Sequence, residues 1–123
     1  MAAHHSLGYE GFRPESMPPE VFAEKRALLR EAIAEIDICR RAFRDPRFLR
    51  IYRGTQSAYG SKHYVEKWDF DLNPRARGEA PNDSYNGYVC QGSAVAAALL
   101  EGFVVKPSSM GAGSAISFPR KVR

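Results

Sequence analysis

The chain has 123 residues, of which 44% are apolar, so it has the length of one domain and enough apolar residues for one hydrophobic core, which excludes an intrinsically disordered protein. No stretch approaches the roughly 18 consecutive apolar residues of a membrane-spanning helix, and the N-terminal residues contain no apolar signal region, so we expect a cytoplasmic protein without membrane contact. The net charge of +4 is unevenly distributed, because residues 1–39 carry four Lys/Arg and seven Asp/Glu, whereas residues 40–123 carry fourteen and seven.

The first 15 residues mix Gly, His, Pro and polar residues with isolated aromatics, which indicates a flexible N-terminal arm. Tyr9 and Phe12 are expected to hold this arm against the rest of the protein. Residues 16–123 are predicted to form a single domain.

A long helix is predicted over residues 19–44, about 26 residues at ~1.5 Å rise per residue. Prolines are tolerated in its first turn, and Ser16 suits the N-cap position. Apolar residues recur every seven positions, at Phe22, Leu29, Ile36 and Phe43. The stripe is too short for a stable coiled-coil seam, so packing within the domain is favoured.

An arginine stands at every third position of the stretch "CRRAFRDPRFLRIYRG", residues 39–54. Asp45-Pro46 should end the long helix and begin a short one over residues 46–53, with Phe48, Ile51 and Tyr52 facing inward. The two helices would form a basic corner with Asp45 as its only acid. The arginines of this corner are Arg40, Arg41, Arg44, Arg47, Arg50 and Arg53.

A helix from about residue 57 to Trp68 is expected to carry Lys62, His63 and Lys67, and a polar loop follows over residues 69–83. A thin, alanine-rich helix begins with Ser93 as its cap and ends before Gly102, where a left-handed residue belongs. Two short strands then form a C-terminal hairpin. The predicted fold class is therefore mainly α (α+β), a small helical domain with a C-terminal β-hairpin, in which the last helices and the hairpin allow a winged-helix-like arrangement.

No residue pattern predicts a catalytic centre, a metal site or a cofactor. His63 lies near Glu66 in sequence, a pairing that a hydrolase could use, but residues of such common type on one helix are weak evidence. His4 and His5 lack the further ligands that zinc requires. The two cysteines, Cys39 and Cys90, are predicted to be buried free thiols.

The segments "YGSKHYVEKW" and "YVCQGSAVAAALLEGF" resemble a pattern in small uncharacterised proteins of bacterial mobile elements and phages. The resemblance covers about residues 55–105. It implies no activity, only a setting in which nucleic-acid binding or interference with a host machine would be expected.

The charge pattern favours a small, non-enzymatic, basic protein that binds nucleic acid through phosphate contacts. The six arginines of the corner would supply most of these contacts, and Lys62, His63 and Lys67 would add to them. The alternative is a protein-binding module, such as a phage or mobile-element inhibitor of a host complex, that docks on an acidic protein surface. A small hydrolase centred on His63 and Glu66 is the third hypothesis. The sequence sets no oligomeric state and allows a dimer.

Overall fold

The computed structural model describes residues 7–14, 16–75, 87–107 and 114–120, and in these ranges it contains five helices and two small antiparallel sheets. The helices are α1 (Pro19–Glu31), α2 (Ile33–Arg44), α3 (Pro46–Ile51), α4 (Ala58–Leu72) and α5 (Gln91–Leu100). The strands are β1 (Leu7–Gly8), β2 (Gly11–Phe12), β3 (Gly54–Ser57), β4 (Val104–Pro107) and β5 (Ser114–Phe118). The predicted fold class, a helical α+β domain with a C-terminal hairpin, is confirmed.

The predicted long helix is interrupted at Ala32, which leaves helical geometry with φ −87° and ψ 37°. The two halves pack on different partners: α1 buries Leu29 and lies against β1, whereas α2 buries four residues and lies against α5. The prediction of a single helix over residues 19–44 is therefore wrong. One straight helix could not pack against β1 with its first half and against α5 with its second half.

The other helix boundaries follow local side-chain chemistry. Asp45 ends α2 and caps α3 by accepting a hydrogen bond from the Arg47 amide at 2.9 Å, so the predicted break is confirmed. Ser57 caps α4 by accepting from the Gly60 amide, also at 2.9 Å. The cap of α5 is Cys90 rather than Ser93, since the Ser93 amide donates to the Cys90 sulfur from inside the first turn.

The C-terminal hairpin is present, and it is part of a larger sheet. β4 pairs with β5 in the register Val105↔Ile116, and β3 pairs with the other edge of β5, giving the order β3-β5-β4. The third strand was not predicted, because its sequence "GTQS" has no apolar alternation.

The described part of the predicted arm is a packed hairpin. Leu7 on β1 is fully buried, and Phe12 on β2 is 8% exposed. The Gly92 amide on α5 donates to the Tyr9 carbonyl at 2.9 Å, and the Tyr9 amide donates to the Lys25 carbonyl on α1 at the same distance. A loose arm is therefore incorrect for residues 7–14, whereas residues 1–6 and 15 lie outside the described residues.

Helix α5 is the centre of the domain, with every residue from Gly92 to Ala98 buried. It contacts α2, α4, β4 and the N-terminal hairpin. In a winged-helix-like arrangement, the second helix of the pair presents its side chains to the DNA major groove. Because α5 is enclosed, it cannot do so in this structure.

Candidate functional site

Two of the predicted site arginines are held by one carboxylate. Glu101, at the end of α5, accepts from Arg40 Nε at 2.7 Å and from Arg44 Nε at 2.6 Å. Its side chain is only 10% exposed. The hydrogen bond from Arg44 is the main cause that lowers the pKa of Glu101, and the same bond raises the pKa of Arg44. These arginines therefore tie α2 to the end of α5.

Two further arginines have acidic partners within their own segment. Arg41 pairs with Asp37 one turn earlier on α2, at 3.2 Å. Arg47 pairs with Asp45 at 2.9 Å, and this side-chain hydrogen bond is the main cause that lowers the pKa of Asp45. The expectation that Asp45 is the only acid of the corner is thus wrong, because Asp37 and Glu101 also pair with its arginines.

The last two arginines of the corner, Arg50 and Arg53, are exposed, and neither forms an ion pair with a carboxylate in the part of the chain that the structure describes. Arg53 Nε donates to the Arg50 carbonyl at 3.0 Å. Among the described residues, the six arginines have three carboxylate partners, so these groups together carry an excess of three positive charges.

The three predicted site residues on α4 do not share an environment. Lys62 is 6% exposed, and its Nζ donates to the Val89 carbonyl at 3.0 Å and lies 4.3 Å from the centre of the Tyr88 ring. It fastens α4 to the segment before α5 and is not available to phosphates. Lys67 is exposed and pairs with Asp71 at 2.8 Å.

His63 is also partly exposed, and its Nδ1 lies 3.0 Å from Glu66 Oε1. The other oxygen of this carboxylate accepts from the Val89 amide at 2.8 Å. Glu66 therefore links His63 to the segment before α5. Both of its carboxylate oxygens are used in contacts within the fold.

The half-buried carboxylate of Glu35, on α2, was missed by the sequence analysis. Glu35 Oε1 accepts from the Cys90 amide at 2.7 Å, and Glu35 Oε2 lies 3.4 Å from the Tyr9 hydroxyl, which donates to it. Burial is the main cause that raises the pKa of the Cys90 thiol to about 12, so this thiol is protonated at neutral pH and suits helix capping rather than nucleophilic chemistry.

A cleft between α3 and α4 is the candidate functional site. Its volume is about 290 Å³. It is lined by Arg47, Phe48, Ile51, Tyr52, Lys67, Trp68, Asp71 and Leu72. The lining residues of α3 with its C-cap Tyr52, and those of α4, stand at positions i, i+1, i+4 and i+5 of each segment, so the cleft runs along about one and a half turns.

The cleft exposes large apolar side chains that the fold does not cover. Ile51 is 71% exposed and Leu72 is 42% exposed, whereas Phe48 beneath them is buried. The prediction that Ile51 faces inward is wrong, because α3 is one short helix at the edge of the domain. Leu72 escaped attention because α4 runs one turn beyond the predicted end at Trp68.

Contacts within the walls hold the cleft open in a defined shape. Trp68 Nε1 donates to Asp45 Oδ2 at 2.9 Å, which joins α4 to the cap of α3. Tyr52 stacks on Tyr64 with a centroid distance of 4.1 Å and an interplanar angle of 10°. The positions of Trp68 and Tyr52 in the cleft walls are therefore set by contacts within the protein.

The surroundings of the cleft are basic. Arg47 and Lys67 lie on the rim, and Arg50 and Arg53 flank Ile51 and Tyr52 in sequence. Their acidic partners at the cleft are Asp45 and Asp71. The two cations that line the cleft are therefore both paired, and the positive excess nearby comes from Arg50 and Arg53, which adjoin the cleft residues in sequence.

No protein-family model, curated protein or solved structure matches the chain. Among the described residues, no helix combines the length and apolar character needed to cross a bilayer. Within the same residues, no three metal-ligating side chains are grouped so that they could hold an ion.

Proposed function

We propose that the chain is a protein-binding module that docks its α3–α4 cleft on an acidic surface of a partner protein. The observation that carries the proposal is the convergence of Ile51 and Leu72, both exposed, in one cleft whose α3 wall adjoins Arg50 and Arg53 in sequence. A cytoplasmic location and a role as a phage or mobile-element inhibitor of a host complex remain part of this proposal.

The apolar contribution comes from the two exposed aliphatic side chains. Complete burial of an Ile or Leu side chain contributes about 1.5–3 kcal/mol. Because Ile51 is 71% exposed and Leu72 is 42% exposed, covering both contributes about as much as one complete burial. Binding energy in protein interfaces is concentrated in central, well-packed pockets that are rich in aromatic residues. Trp68 and Tyr52 give this cleft aromatic walls of that kind.

The charged rim contributes selectivity. Cations around an apolar centre speed association with an acidic surface and disfavour basic ones. Arg50 and Arg53 are suited to this task, because neither has a carboxylate partner among the described residues.

Nucleic-acid binding is the second candidate function, supported by the positive excess that the arginine surface retains. Phosphates would meet Arg50 and Arg53 directly, but they would have to compete with Glu101 and Asp45 for other arginines. This function predicts affinity that falls steeply with salt, with a slope set by the number of neutralised phosphates.

The test is selection of a random peptide library, displayed on phage, against the immobilised full-length chain. We expect enriched peptides that are acidic and that bind the wild type but not Ile51→Asp. The matched control is Ile33→Asp, because Ile33 at the start of α2 is also 71% exposed and lies outside the cleft. This control should bind as the wild type does.

The same preparations are titrated with a labelled DNA duplex and a labelled single strand at about 50 mM salt. If no peptide depends on Ile51 and a strand binds in a way that Arg50→Ala with Arg53→Ala abolishes, protein docking is replaced by nucleic-acid binding. If no peptide depends on Ile51 and no strand binds, both functions are rejected.

A further inference from the structure

Building on the proposed function, we infer that the cleft takes one large apolar side chain of the partner, and that a partner carboxylate displaces Asp71 from Lys67. The ligand is therefore an acidic peptide segment in which a bulky apolar residue has Asp or Glu close by.

The size of the cleft sets the first part of this motif. Each wall spans residues i to i+5, about 7.5 Å at 1.5 Å rise per residue, which is too short for a whole helix lying along it. A volume of about 290 Å³ lies at the lower end of the range for small-molecule pockets. One bulky side chain fits this space between Phe48 and Trp68, beside Ile51 and Leu72.

The ion pair between Lys67 and Asp71 at the cleft accounts for the acidic residue of the peptide. Lys67 and Asp71 form an exposed pair, with side chains that are 67% and 58% accessible. The lysine precedes the acid by one turn, which is the less favourable order on a helix. Exposed pairs of this kind are weak, so exchanging one carboxylate for another costs about twofold in affinity or less.

Arg47 is not free to act in the same way. Its partner Asp45 also caps α3 and accepts from Trp68, so breaking that pair would disturb the wall of the cleft. Lys67 is the rim cation that can change partners while the cleft keeps its shape.

The experiment measures the affinity of the selected acidic peptides for rim variants of the full-length chain. Asp71→Asn frees Lys67 and should tighten binding about two- to fivefold, while Lys67→Gln should weaken it by a similar factor. The matched control is Asp37→Asn, which breaks the equally exposed i, i+4 pair with Arg41 away from the cleft. This control changes the net charge by the same amount and should leave the affinity unchanged.

The occupant is followed through Trp68, the only tryptophan of the chain, whose fluorescence should shift to the blue when the cleft is filled. Alanine replacement along each peptide should identify one apolar residue that carries this shift.

Equal effects of Asp71→Asn and Asp37→Asn would overturn the exchange at Lys67, and a peptide without a single anchor residue would overturn the one-side-chain cleft. Both results leave protein docking intact as long as binding still depends on Ile51. Absence of any Ile51-dependent peptide instead removes the proposed function itself.

Discussion

Replacing Gly92 by alanine tests how firmly the N-terminal hairpin is docked on α5. A Cβ at position 92 would lie 1.9 Å from the Gly8 carbonyl oxygen and 2.7 Å from the Tyr9 carbonyl oxygen. The Gly92 amide also donates to Tyr9 at 2.9 Å. Because both contacts are with backbone atoms, no side-chain rotation can relieve them.

The loss in the free energy of unfolding depends on whether the N-terminal hairpin shifts or detaches in the variant. If the hairpin shifts and stays bound, overpacking costs about 1–3 kcal/mol. If it detaches, the burial of Leu7 and Phe12 is lost, at about 1.5–3 kcal/mol for each side chain. Alanine is a better helix former than glycine by about 0.5–1 kcal/mol, which offsets part of either cost. The shifted hairpin is the cheaper route, and after this offset we expect a net loss of up to about 2.5 kcal/mol.

Urea denaturation gives the free energy of unfolding, and amide chemical shifts of Leu7 and Tyr9 report the hairpin. Gly102→Ala is the control: its φ of +81° is unfavourable for alanine, but among the described residues no atom beyond its chain neighbours lies within 4 Å of the added Cβ. It should lower stability by about 1 kcal/mol without moving the signals of the hairpin. A Gly92→Ala variant as stable as the wild type, with unchanged signals at Leu7 and Tyr9, would refute the docked hairpin.

Three further predictions concern groups described above. Burial raises the pKa of Cys39 and of Cys90, so neither thiol should react with Ellman's reagent at pH 8 until denaturant is added; rapid reaction of the native protein would contradict their burial. The lowered pKa of Glu101 stabilises the fold above the ordinary carboxyl pKa of about 4.3, and this stabilisation is lost as the pH falls through the lower, folded-state value. Glu101→Gln should therefore flatten the acid limb of a pH–stability curve, and an unaltered limb would count against the Arg40–Glu101–Arg44 link. Lys62→Ala should lower the free energy of unfolding by about 1–3 kcal/mol, because it removes the hydrogen-bond partner of the buried Val89 carbonyl. The control Lys67→Ala, which breaks only an exposed ion pair, should leave the midpoint of urea denaturation unchanged. Equal midpoints for the two variants would refute the assignment of Lys62 to the core.

Local chemistry explains which parts of the fold could be predicted. The break at Asp45-Pro46 and the left-handed Gly102 each depend on a residue type acting within a few positions, so both could be predicted from the sequence. The cap of α4 could be narrowed only to Thr55, Ser57 or Ser61, of which the structure has Ser57. The interruption at Ala32 has no such signal, because alanine favours helix and the cause is the separate packing of α1 and α2. Strand β3 likewise exists through its pairing with β5, far along the chain.

The candidate site likewise combines features that local sequence predicts with features that depend on distant contacts. The helices that carry the arginines could be placed, but the partner of Arg40 and Arg44 is Glu101, 61 and 57 residues away, and no local pattern indicates it. The exposure of Ile51 depends on how α3 sits at the edge of the domain. Leu72 joins the cleft only because α4 continues past Trp68, and helix ends are poorly defined by periodicity.

The central claim, docking through the α3–α4 cleft, is tested most directly by amide and indole chemical shifts of the full-length chain titrated with a selected acidic peptide. The account predicts that the indole Nε1–H of Trp68 and the amides of residues 47–52 and 67–72 shift most. Shifts confined to other surfaces, with the Trp68 indole signal unmoved at saturation, would contradict it.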